Sequence, residues 1–136
     1  FLGHSQDMYY TDRDEYINRN VDTNHTATTM PGGHNWMSYI NDNEQIAELD
    51  IPGTHDSGMT RGILGHMQTQ DKTIQEQLEM GVRYFDIRVR VDANNTLAIH
   101  HNFIYAGIHF TPGVLEVFNN FLNNYPKEVI IMHLKK

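Results

Sequence analysis

Apolar positions are scattered without period over residues 1–35 and fall into regular patterns from Trp36 onward. The first stretch is polar, rich in Asn, Asp, Thr and His, and closes on Pro31-Gly32-Gly33. Such a segment buries too little to hold a core and reads as an extended arm, pinned at Met8-Tyr9-Tyr10 and Tyr16-Ile17. Trp36 to Ile40 predicts a short helix. Ile46 to Ile51 alternates apolar and polar residues as a half-buried strand does, and Pro52-Gly53 stops it. Between Asp71 and Met80, Ile74 and Leu78 lie four residues apart among polar neighbours, which predicts a helix closed by a left-handed Gly81. Val82 to Val91 is the next strand, Asp92 to Asn95 a turn, and Thr96 to Phe103 a third strand. Thr111-Pro112 predicts a helix start, with a capping hydroxyl and a proline in the first turn. Val114, Leu115, Phe118, Phe121 and Leu122 then form an apolar stripe, and Tyr125-Pro126 ends it. Glu128 to Leu134 is a fourth strand, apolar enough at Val129 to Met132 to be buried on both faces.

Strands alternating with helices predict an α/β protein with a parallel sheet. Polar residues collect at the C-terminal ends of the strands, the face on which (β/α) barrels carry their chemistry. Four strands do not close a barrel. The expected architecture is therefore an incomplete TIM-barrel-like unit over residues 36–136, preceded by a polar extension over 1–35.

Composition narrows the function classes. At 136 residues the chain suits a single domain, and its net charge of −7 argues against a nucleic-acid partner or a polybasic membrane anchor. Nine histidines weaken the sign of that charge below neutral pH. The lack of cysteine excludes disulfides and thiolate metal sites. No apolar run approaches the roughly 20 residues of a spanning helix. The chain begins at Phe1 without a signal segment, which fits a removed leader or an excised piece.

The candidate chemistry lies beside the strands. His55 and Asp56 follow the Pro52-Gly53 stop, with Thr54 and Ser57 to hold the turn and Gly53 and Gly58 to supply its backbone angles. Asp86 and Arg88 share one face of their strand and can pair as a solvated ion pair; in so apolar a strand, though, a guanidinium needs a task or a full set of partners, and an anionic ligand would give it one. His100 and His101 are adjacent on a strand and face opposite ways, so only one can join a site with His55; periodicity does not choose between them. An ordinary imidazole pKa near 6.5 suits a base–acid pair. His4, His25, His34, His66, His109 and His133 show no metal-ligand spacing.

Four pieces in order resemble the first half of the X-type catalytic domain of bacterial phosphatidylinositol-specific phospholipase C. They are Leu49-Asp50-Ile51-Pro52-Gly53-Thr54-His55-Asp56-Ser57-Gly58, Gly81-Val82-Arg83-Tyr84-Phe85-Asp86-Ile87-Arg88, Leu97-Ala98-Ile99-His100-His101 and Ile130-Ile131-Met132-His133-Leu134-Lys135-Lys136. The resemblance implies that His55 is the general base on the inositol 2-hydroxyl. It makes His101 the general acid tuned by Asp56, and Arg88 the holder of the phosphate oxygens. Asp86 would fix Arg88 or its neighbours, and Lys135 would reach an inositol hydroxyl. The reaction implied is release of diacylglycerol with formation of inositol 1,2-cyclic phosphate, by a secreted, peripheral enzyme acting on phosphatidylinositol or glycosylated inositol anchors. Arg88 supplies positive charge where calcium-dependent relatives place acidic ligands, so no metal and no cofactor are expected. Self-association, or pairing with a missing C-terminal half, is expected to cover the open strand edges. A non-catalytic phosphate-binding module and a metal-dependent glycerophosphodiesterase-like enzyme are the alternative readings.

Overall fold

The computed structural model describes residues 33–60 and 68–136. Of the expected arm over residues 1–35, residues 1–32 lie outside the described residues, and Gly33 to Asn35 belong to a helix instead. A 3-10 helix spans Gly33–Tyr39, and a single 3-10 turn spans Ile46–Glu48. Strand β1 (Gly53–Thr54), helix α1 (Ile74–Met80), β2 (Tyr84–Val91), β3 (Leu97–His101) and β4 (Ile104–His109) follow. A wide helical turn at Thr111–Leu115 runs into α2 (Glu116–Asn124), and β5 (Ile131–Lys135) comes last.

Strand β2 is the axis of the sheet. Its first residues pair in parallel with β1 (Gly53 with Tyr84) and with β5 (Tyr84 with Ile131, through to Arg88 with Lys135). Its last three residues turn to antiparallel pairing with β3, and β3 pairs with β4 across an irregularity between Ala98 and His100. Phe85, Ile87 and Val89 alternate onto one face of β2 and join Leu78 of α1 and Val114, Phe118 and Phe121 in the core. The rings of Phe85 and Phe118 stand 4.9 Å apart.

Helix α1 forms where its ends are specified. Thr73 caps it, accepting from the Glu76 amide while the Glu76 carboxylate accepts from the Thr73 amide. Gly81 closes it at φ 108°, a conformation that costs glycine nothing.

Four expectations need correction. Ile46–Ile51 is not a strand: Ile46 is 44% exposed, and the parallel pairing starts only at the Pro52 carbonyl, which accepts from Arg83 and Tyr84. Alternation without a neighbouring strand leaves that segment as a turn. The third strand is two strands, because Asn102 takes a left-handed conformation (φ 52°) and reverses the chain into β4. Thr111 is not a cap, since Phe110 already has helical angles and no side chain caps the start. Strand β5 is not buried on both faces; Met132 packs on the core, whereas His133, Leu134 and Lys135 are exposed.

Beneath the sheet, Arg83 is wholly buried. It pairs with Glu128 (Nη2 to Oε2, 2.8 Å), donates to the Leu78, Val82, Gly33 and His34 carbonyls, and lies over the Phe121 ring. Trp36 Nε1 donates to the Gly81 carbonyl, and the Ser38 amide to Glu128. The 3-10 helix is thereby locked to α1 and to the approach of β5.

Candidate active site

The turn after β1 is stitched to the middle of β2. Ser57 donates its amide to the Asp86 carbonyl, and its hydroxyl accepts from the Asp86 amide, both at 2.9 Å. The Asp56 amide donates to Asp86 Oδ2 at 3.2 Å. Gln77 of α1 reaches in from below: Nε2 donates to the Ser57 and Lys72 carbonyls, and Oε1 lies 2.7 Å from the Thr54 hydroxyl. Gln70 and Thr69 hold the His55 and Asp56 carbonyls. The left-handed residue of this turn is Asp56 itself (φ 45°), not one of the glycines credited with that freedom. Gly58 is required for space instead, since a Cβ there would stand 2.7 Å from Ile99 Cγ2.

This stitching brings five of the expected residues together. His55 Nδ1 stands 3.1 Å from Asp86 Oδ2, and His101 Nδ1 stands 3.0 Å from Asp56 Oδ2. His55 Nε2 lies farther, 3.4 Å, from that same Asp56 oxygen, so both imidazoles converge on one carboxylate. Arg88 spans the two acids, with Nε 2.7 Å from Asp56 Oδ1 and Nη2 3.3 Å from Asp86 Oδ2. The carboxylates form the floor, at 1% and 3% exposure, and His55, Arg88 and His101 remain open at 41%, 28% and 20%. The Arg88–Asp56 and His101–Asp56 approaches are ion-pair contacts without hydrogen-bond alignment, whereas Arg88 Nη2 donates to Asp86 Oδ2.

Burial pushes the Asp56 carboxyl above its ordinary value, against the opposing pull of Arg88, His101 and His55. His100, the neighbour that the sequence left as an alternative, turns away: its ring stacks 5.5 Å from Tyr105, and burial lowers its pKa. Lys135 lies one strand over, exposed, in register with Arg88.

A family model described as phosphatidylinositol-specific phospholipase C, X domain, matches residues 49–136. The chain belongs to this family. It is 38% identical over 109 residues to a 1-phosphatidylinositol phosphodiesterase of Staphylococcus aureus, an alignment covering 75% of this chain and 34% of that protein. It is 42% identical over 106 residues to the protein of the same description from Listeria monocytogenes, covering 74% and 32%. A solved phosphatidylinositol-specific phospholipase C from S. aureus superposes with a TM-score of 0.71 at 37% identity, covering 77% of this chain and 36% of that one. The chain thus spans about a third of the length of the curated relatives it matches. Within this X-domain family its mixed sheet is an incomplete α/β barrel, a half-barrel with the acidic floor beside the C-terminal end of β1.

Sequence reasoning missed the supporting residues of this X-domain site. Gln77 had a visible signal: it is a polar residue three positions from Ile74 and adjacent to Leu78, on the apolar stripe of α1. The hold of Asp86 on His55 had none, because it depends on how the turn after β1 registers against β2.

Proposed function

We propose that this chain carries the catalytic half-site of a phosphodiesterase that cleaves phosphatidylinositol, or a glycosylated inositol lipid, by attack of the ring 2-hydroxyl on phosphorus. The observation that carries this reading is that each imidazole presents Nδ1 to its own buried carboxylate, His55 to Asp86 and His101 to Asp56. A carboxylate at Nδ1 keeps the proton there, and release of the longer His55 Nε2–Asp56 contact (3.4 Å) leaves Nε2 for substrate. His55 Nε2 then removes the proton of the attacking hydroxyl. The new oxygen–phosphorus bond closes a five-membered cyclic phosphate as the bond to the diacylglycerol oxygen breaks. Protonated His101 delivers its Nε2 proton to that leaving oxygen. Arg88, anchored by both acids, neutralises the non-bridging oxygens, and Lys135 reaches a ring hydroxyl.

The same geometry supports a metal-independent reaction, because the Arg88 guanidinium occupies the position between Asp56 and Asp86 that a cation would need. No helix among the described residues is long and apolar enough to cross a membrane, so contact with the lipid is read as peripheral. Secretion rests on the family resemblance alone. One edge of β5 is unpaired among the described residues, which supports self-association or a covering partner segment.

The test is phosphatidylinositol vesicles with chelator present, read by phosphorus NMR. Cyclic inositol phosphate is expected from the unaltered chain, with His55→Ala and His101→Ala each about 10²–10⁴-fold slower. Cyclic product formed equally well by His101→Ala, or only on addition of a divalent cation, would overturn the mechanism. Vesicle binding by a folded chain without product would favour the binding-module reading.

A further inference from the structure

We propose that His133 is a specificity-determining residue of this site that contacts the polyol ring of the head group, an inference that rests on the phosphodiesterase reading above. Tyr84 and Phe85 pair with β1 and also with β5, so β1 and β5 flank opposite edges of β2. Asp86 stands in register with His133, and Arg88 with Lys135. Paired residues of neighbouring strands share a face, and successive residues alternate. Phe85 and Ile87 face the core, as does Met132, the partner of Phe85. His133 therefore projects from the face that carries Asp86 and Arg88.

The functional groups consequently form a row across three strands. His55 and Asp56 follow β1, Asp86 and Arg88 lie on β2, and His133 and Lys135 lie on β5. The reacting phosphate and its attacking hydroxyl are served by the first two strands together with His101. A six-membered ring bearing further hydroxyls extends away from that phosphate, and β5 is the wall opposite His55. An imidazole there can donate from one nitrogen and accept at the other, which suits adjacent hydroxyls, whereas Lys135 only donates. His133 is exposed, and among the described residues no side-chain hydrogen bond ties it to the floor. None of the steps assigned to His55, His101 or Arg88 uses it.

The experiment follows the imidazole NMR signals of the full chain during titration with myo-inositol 1,2-cyclic phosphate and, separately, glycerol 3-phosphate, which has the phosphate but no ring. The cyclic phosphate is expected to shift His55, His101 and His133, and glycerol 3-phosphate only the first two. His133→Ala is expected to weaken the cyclic phosphate about tenfold, leaving glycerol 3-phosphate binding unchanged, with partial recovery in His133→Asn. Shifts at His55 and His101 with a silent His133 overturn this inference alone. Silence at all three overturns it together with the phosphodiesterase reading. Equal weakening of both ligands by His133→Ala overturns the assignment to ring recognition.

Discussion

Asp56 is 1% exposed in a left-handed conformation and lies within 3.4 Å of three basic side chains. Burial nevertheless dominates and raises its pKa. The folded chain then binds this proton more tightly than the unfolded chain does, whose carboxyl titrates near 3.8. The contribution to stability is fully present below that value and is lost as pH rises through the raised folded value. At neutral pH the carboxylate therefore opposes folding while orienting His101 and Arg88. Asp56→Asn removes the titration and keeps a residue that tolerates positive φ, and Arg88 retains Asp86. The variant is expected to match or exceed the parent in urea midpoint at pH 7, with a flatter pH dependence above about 4, and to lose most turnover. Asp56→Ala removes the same charge but lacks the short polar side chain that lets Asp or Asn occupy the left-handed region, at a cost of about 1–2 kcal/mol. Urea unfolding from pH 4 to 8 checks both; an asparagine variant less stable than the alanine one contradicts the argument.

At the scale of the element, α1 does two jobs with one face. Ile74 and Leu78 enter the core, and Gln77 between them holds the Ser57 carbonyl and the Thr54 hydroxyl of the turn that carries His55. Gln77→Leu fits the stripe but strands those buried groups, so a loss of about 1–3 kcal/mol is expected. Displacement of the turn should also lower turnover about tenfold or more per folded molecule. Gln75→Leu, on the exposed side of the same helix, should stay within about 0.5 kcal/mol. Thermal unfolding with matched kinetics separates the two. Elements with their own end signals were legible in sequence, as α1 was from its spacing and Gly81. Ile46–Ile51 misled because alternation records which side chains could face a core, not whether a strand lies alongside. The β3–β4 reversal was hidden because a single left-handed Asn102 makes it without proline or glycine. His55, Asp56, Asp86 and Arg88 could be nominated from residue type and position. The choice of His101 over His100 came from the family likeness, since the irregularity between Ala98 and His100 defeats counting along the strand.

The molecule as a whole is a half-barrel whose chain segments are joined far from the chemistry. Arg83 has no role legible in the sequence, yet among the described residues it is the largest fully buried side chain, and its guanidinium gathers the 3-10 helix, the end of α1, Phe121 and Glu128. Glu128 in turn accepts from the Ser38 amide, 90 positions away along the chain. Both partners are almost wholly dry (0% and 1% exposed), and such pairs gain less from each other than they lose in leaving water. The consequence is an asymmetry between single and double replacement. Glu128→Leu alone leaves a buried guanidinium without its carboxylate, as Arg83→Met alone leaves the carboxylate, and each is expected to cost about 3–5 kcal/mol, a large share of a domain's total stability. Arg83→Met combined with Glu128→Leu removes both charges and should recover most of that loss. Urea midpoints of the two singles and the double close the cycle. Recovery would mean that the pair specifies how the 3-10 helix seats against the barrel more than it strengthens the fold. A double variant as unstable as the singles would instead assign the stability to the carbonyls that Arg83 gathers, and would make the guanidinium itself the keystone of this end of the sheet.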